Sequence, residues 1–187
     1  MVLNHQRVWF AAAFLWGLAE ATFFFIVPDV LLTASVILFG LAFALRLAGA
    51  AVIGAILGGA VMWRWGAAEP EAAREFLLSI PLVGDDLLSR ASDEMKSLWP
   101  VNLTLGAVTG APYKIYAVEV GAGGVNFWPF MIVSFFARLA RFALLIGLFT
   151  GGYLTLRRFG RARWDWRFHG GVWLAVYAAY TAIRLNA

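Results

Sequence analysis

The chain has 187 residues, of which 62% are hydrophobic and 14% charged, with a net charge of +4 and no cysteine. Its mean hydropathy is +0.77, and a soluble domain of this size cannot hide that much apolar surface. The absence of cysteine excludes disulfides, thiolate nucleophiles and thiolate metal sites. The composition therefore predicts an all-α polytopic membrane protein, a single membrane domain over 1–187. The sequence pI of about 9.9 reads as topology and attraction to anionic lipid headgroups, not as nucleic-acid binding.

Asn4 to Arg7 is a short polar lead, and Val8–Val27 is the first apolar limb. Ala19-Glu20-Ala21 has the form of a signal-peptidase site, but cleavage is not expected because another apolar run follows. Inside that run Glu20, Pro28 and Asp29 stand out. An acid in a lipid-length apolar segment costs roughly 2.5–3.5 kcal/mol on insertion scales, so it faces a cavity or another protein group. Pro28 lacks an N–H and disfavours helix at Val27. The helix is expected to break there and restart at Asp29, whose carboxylate suits the N-cap. The bland alternative is a kinked spanning helix with Glu20 satisfied locally. Asp29–Leu45 forms the second limb, ending at Arg46. Leu47–Trp63 is the third, ending at Arg64, with a small-xxx-small pair at Gly54 and Gly58.

Residues 67–99 differ in kind, with Glu69, Glu71, Glu75, Asp85, Asp86, Asp93 and Glu94 set against Arg74, Arg90 and Lys96. Apolar residues at helical spacing predict two amphipathic helices divided by Ser79–Gly84. They form an interfacial hairpin or a small cap, with the acids a solvated face. Pro100–Asn126 is apolar but broken at Pro112, Tyr113 and Lys114, with Glu119 further on. Phe127–Phe149 is long enough to span. Its Arg138 and Arg141 share a helix face and need acids, phosphates or water as partners. Residues 153–169 carry Arg157, Arg158, Arg161, Arg163 and Arg167 among Trp164, Trp166 and Phe168, which reads as a cytoplasmic interfacial segment. Gly170–Ile183 is a short last helix. His5 and His169 fall near helix ends and read as anchors or solvated residues.

If the basic segment 157–167 is cytoplasmic, the acidic 67–99 insert lies outside. Each broken segment then enters and returns from opposite sides, giving two opposed re-entrant helical hairpins with flanking transmembrane helices, an inverted-repeat-like plan. The halves are 8–66 and 100–150, followed by a basic loop and C-terminal helix over 151–187. Interrupted apolar segments in corresponding positions point to a transporter's midplane site.

Glu20-Ala-Thr-Phe with Val-Pro-Asp29-Val-Leu-Leu, then Ala111-Pro-Tyr-Lys-Ile-Tyr-Ala-Val with Gly121-Ala-Gly, then Ala137-Arg-Leu-Ala-Arg141-Phe together resemble the DedA superfamily. This is the bacterial branch of the VTT (SNARE-associated) proteins, and the likeness is to its small YqaA-like members. It covers about residues 8–150. The resemblance implies a fold of two opposed hairpins, a bacterial inner membrane, and movement of phospholipid or polyprenyl-phosphate headgroups between leaflets, with or without proton coupling. It makes Glu20 and Asp29 the acids of the first hairpin. The family's arginines flanking the second proline are replaced by Thr109 and Ile115, leaving Lys114 as the cation.

The expected substrate and proton pathway is thus Glu20, Asp29, Lys114, Arg138 and Arg141, supported by Pro28, Pro112, Tyr113 and Glu119. Membrane lipids are the expected partners, and a homo-oligomer is compatible with this. No cofactor or metal is expected. Without a Ser/His/Asp set or a metal-ligand cluster, the residues do not read as an enzyme. Two alternatives stand: a proton-coupled exporter of small cations, and a non-transporting protein in which the same charges are buried structural pairs.

Overall fold

In a computed structural model, residues 2–109, 111–158 and 166–185 are described, and every regular element among them is helical. The first half comprises α1 (Val2–Glu20), α2 (Asp29–Phe39) and α3 (Leu41–Ala68). The insert holds α4 (Pro70–Leu78) and α5 (Asp85–Lys96). The second half comprises α6 (Trp99–Thr109), α7 (Tyr113–Ala122) and α8 (Phe127–Arg158), and α9 (Trp166–Leu185) closes the chain. Among the described residues, two helices are long and apolar enough to cross a bilayer, Leu41–Ala68 and Phe127–Thr155. Leu15, Ile53, Val61, Phe136 and Leu148 on α1, α3 and α8 are each more than half exposed. Such a surface suits lipid and is costly in water.

The first limb ends earlier than its hydropathy suggests. α1 stops at Glu20, not Val27, because the carbonyl of Ala19 accepts the amides of Thr22, Phe23 and Phe24. The Thr22 hydroxyl also donates to the Leu18 carbonyl at 2.8 Å, so the chain curls out of the helix before the proline is reached. α2 restarts at Asp29 as expected, but Pro28 occupies the cap position and no side chain caps the helix. The expectation that Asp29 is the N-cap is therefore corrected; its carboxylate is engaged elsewhere. The second limb is also shorter than expected. It ends at Phe39, because Gly40 adopts φ +83° and turns the chain into α3. Only glycine enters that region at little cost. Arg46 thus lies within α3, exposed, donating to its own Ala42 carbonyl.

α1 and α3 run parallel: Phe10 meets Phe43, while Leu18 and Ala21 meet Gly58. The intervening α2 must then descend, and Phe39 at its end packs on Trp9 near the start of α1. α7 also runs parallel to α3, with Tyr113 against Gly59 and Val118 against Gly66. α6 descends into α7, bringing Gly106 against Tyr116. α8 descends from Phe127, which meets Trp63 of α3 edge to face.

Gly58 and Gly59 are consecutive, and each receives one of the two chain breaks. A Cβ on Gly58 would lie 2.8 Å from the Ala21 Cβ, and one on Gly59 would meet the ring of Tyr113. Close approach without a side chain is what lets helices pack tightly in an apolar medium. Both breaks are thereby held at one level of α3.

The insert is a cap. Ala73, Leu77, Leu88, Ala91 and Met95 share a core with Ile115, Ala117, Val118 and Val120 of α7. α7 is buried on every side over Tyr113–Gly121, which is why its sequence shows no polar face. Phe130 and Ala137 of α8 belong to that core, whereas Phe142 and Ile146 pack with α1, α2 and α3. α8 therefore joins the two halves. Arg161, Arg163 and Trp164 of the basic segment lie outside the described residues, as do the side chains of His5, Trp166, Arg167 and Phe168.

Candidate functional site

The break over residues 21–28 leaves backbone groups without helical partners, and three distant side chains take them. The Trp16 indole donates to the Ile26 carbonyl at 2.9 Å. The Val27 amide donates to the Tyr177 hydroxyl of α9 at 2.8 Å. The Lys114 ammonium donates to the Phe24 carbonyl at 2.9 Å. Irregular backbone in an apolar surrounding is tolerable only with partners of this kind.

Arg138 and Arg141 descend from α8 toward the same level. Arg138 Nη2 lies 2.9 Å from Glu20 Oε2 and 3.2 Å from Oε1. Both side chains are almost wholly buried, at 1% and 5% exposure. One turn on, Arg141 Nη2 donates to Asp29 Oδ2 at 2.6 Å. The Tyr113 ring covers the Arg138 guanidinium, 4.1 Å from its carbon, a cation–π contact that stiffens the fork. Neither pair is saturated. Arg138 Nε and Nη1 and Asp29 Oδ1 are buried with no hydrogen-bond partner among the described residues.

A cavity of about 200 Å³ opens beside these groups. Glu20, Asp29, Lys114 and Arg141 form its charged side. Ile80, Pro81, Leu82 and Val83, from the loop between α4 and α5, form an apolar wall, and Trp173, Tyr177 and Tyr180 of α9 form an aromatic one. Leu82 holds φ +69°, a left-handed conformation that side chains other than glycine rarely adopt. Such a site concentrates a few polar groups in a mainly apolar concavity, the usual anatomy of a small-ligand site.

The chain matches no family profile, no curated protein and no solved structure. The site is therefore read from its own residues.

Of the residues singled out from sequence, Glu20, Asp29, Lys114, Arg138, Arg141 and Tyr113 converge, and Pro28 and Pro112 sit at the two restarts. Glu119 does not join them. It lies at the opposite end of α7, where Arg74 grips it through two hydrogen bonds of 2.7 Å, so it ties the cap to the bundle. That contact, with burial opposing it, holds the Arg74 pKa above its ordinary value. Nearby, Glu94 accepts from the Tyr116 hydroxyl at 2.6 Å and from Arg90 at 2.8 Å. Burial works to raise the Glu94 carboxyl, but these two hydrogen bonds outweigh it and hold the pKa below the ordinary 4.5.

Sequence reasoning missed the contribution of α9. His169, read as an anchor or a solvated residue, is buried and not solvated, with Nε2 2.8 Å from the Thr33 hydroxyl. Trp173 donates to the same hydroxyl at 3.0 Å. These contacts dock α9 on α2 and bring Tyr177 to the break. The one available signal was the spacing of Trp173, Tyr177 and Tyr180, which places them on one helix face.

Proposed function

We propose that this chain is an integral membrane transporter that moves the phosphate headgroup of a phospholipid or polyprenyl phosphate between leaflets through the cavity beside the two breaks. The observation that carries this reading is a cavity lined by Glu20, Asp29, Lys114 and Arg141 within an otherwise apolar bundle. Buried charge in an apolar span is expensive and is kept where a substrate or ion needs it. The antiparallel runs of α1 with α2 and of α6 with α7 support two opposed re-entrant hairpins, each followed by a long helix. Their meeting at Gly58 and Gly59 supports one site shared by the two hairpins. This agrees with the DedA-like motifs and with a bacterial inner membrane in which the Arg157–Arg158 end faces the cytoplasm.

In this mechanism the headgroup enters between the cap loop and α9 while its hydrocarbon remains in lipid. Guanidinium and ammonium groups bind phosphate oxygens by charge-assisted hydrogen bonds. Protonation of Glu20 breaks its pair with Arg138 and so changes the charge that the cavity presents to a phosphate, which couples headgroup movement to protons.

The test is reconstitution of the purified protein into liposomes with fluorescent phospholipids or a labelled polyprenyl phosphate, following leaflet exchange. Exchange that is lost in R138A/R141A protein of unchanged helicity is the expected result. Exchange that survives this double substitution overturns the pathway. E20Q protein that keeps both its exchange rate and its pH profile overturns the proton coupling.

A second reading has its own support. Glu20 and Asp29 are already paired, as a purely structural lock would require. Against it stand the unpartnered Arg138 Nε and Nη1 and Asp29 Oδ1, because a buried network kept for packing alone is normally satisfied.

A further inference from the structure

We infer that the cavity selects a phosphate oxyanion carrying a single negative charge, and that Lys114, not the two arginines, sets this preference. The inference rests on the transport reading above and names the charge of its substrate.

The argument is a count of fixed charges. Arg138 is committed to Glu20 and Arg141 to Asp29. Glu119, the remaining acid of α7, is held by Arg74 at the far end of that helix. Lys114 forms no salt bridge with any described carboxylate, and its ammonium donates to one neutral carbonyl, that of Phe24. Its residue is 2% exposed and lines the cavity. With Glu20 ionised and both arginines paired, three cations thus face two carboxylates, and the excess positive charge resides on a buried ammonium with hydrogen-bonding capacity to spare.

A buried charge without a counterion is costly in a low-dielectric surrounding. A monoanion at Lys114 brings the cluster to neutrality. A dianion overshoots to a net negative charge, and a zwitterion leaves the excess in place. Phe25, Leu82, Val83 and Val176 lie on the same cavity. They offer an apolar wall to whatever stem the oxyanion carries, without adding charge. A lipid-borne and a free oxyanion share this chemistry.

The full chain, reconstituted in phosphatidylcholine vesicles at pH 8, is assayed for exchange of fluorescent phosphatidylglycerol, phosphatidylethanolamine and phosphatidic acid. These headgroups are singly negative, zwitterionic and close to doubly negative. Wild type should move phosphatidylglycerol about tenfold faster than either of the others, the scale of one charge-assisted contact. K114R should keep that order. K114Q, with two cations against two carboxylates, should lose it and favour phosphatidylethanolamine. Dimethyl phosphate, a soluble monoanion, is added as a competitor. Slowed exchange would show that the free oxyanion is recognised too, whereas unchanged exchange would confine recognition to lipid. Equal wild-type rates for all three lipids, or a phosphatidylglycerol preference that persists in K114Q, overturn the inference and leave the transport reading standing. Wild-type protein that moves none of them overturns the inference together with the phospholipid form of the transport reading.

Discussion

A guanidinium and a carboxylate held 2.9 Å apart at near-zero exposure depend on each other more than on the rest of the fold. Removing one partner leaves the other buried and unpaired, at about 3–5 kcal/mol. R138M should therefore destabilise by about that amount, read as a loss of thermal or denaturant stability in detergent. E20Q/R138M should cost clearly less than the sum of its single substitutions, because neither remaining side chain is charged. Additive losses would mean that the pair is not coupled. Glu94 gives a pH prediction from the cap. Its pKa is held below 4.5 in the folded state, so its contribution is fully present above that value and is lost as pH falls through the depressed folded pKa. Stability measured from pH 6 to pH 3 should drop at the acid end, and E94Q should flatten that part of the curve. At this scale the cast of the site was legible, since isolated acids and bases in apolar runs announce themselves by their cost. Which acid meets which base was not. Glu20 and Arg138 are 118 residues apart, and local periodicity carries no information on such a pairing.

The elements divide in the same way. The restarts at Asp29 and Tyr113 follow from the prolines before them, and the cap helices follow from apolar spacing and acidic first turns. The turn at Gly40 was invisible because hydropathy does not dip there; only the positive φ reveals it. The end of α1 at Glu20 was equally hidden, since it depends on one carbonyl accepting three amides. The packing of α3 makes its own prediction. G58V places branched carbon against the Leu18 carbonyl and the Ala21 side chain, 2.8 Å from the position of the first added atom. It should cost about 1–3 kcal/mol, as overpacking does. G147A on α8 meets nothing within 4 Å and should be neutral or stabilise by up to about 1 kcal/mol through helix propensity. Melting temperatures of the two variants in one detergent check this; similar shifts for both would refute the close-packing account.

For the whole molecule, the all-helical class was legible from charge and hydropathy, whereas the packing of α9 was not. A short amphipathic helix rich in aromatics suits many positions, and only Tyr177 at the break fixes this one. Orientation is directly testable because the chain has no cysteine of its own. Ser89 on the cap and Arg158 at the end of α8 are both exposed. In the proposed orientation, S89C should react with a membrane-impermeant maleimide added outside the cell and R158C only after the membrane is opened. The reverse pattern would invert the topology.

The level at which both breaks meet α3 has an electrical consequence. Gly58 and Gly59 lie roughly 25 Å along α3 from Leu41 but only about 15 Å from Ala68, at 1.5 Å per residue. The layer of buried charge is therefore off-centre along that helix. A charge crossing the whole bilayer gains about 2.3 kcal/mol per 100 mV, and one that stops at this layer gains only the fraction of the voltage drop it has traversed. If α3 crosses the bilayer as proposed, with its two ends at the two faces, ions arriving from those faces would traverse unequal fractions, and the response to membrane voltage would be asymmetric. Exchange rates in vesicles clamped at opposite potentials would then differ in magnitude as well as in sign of response.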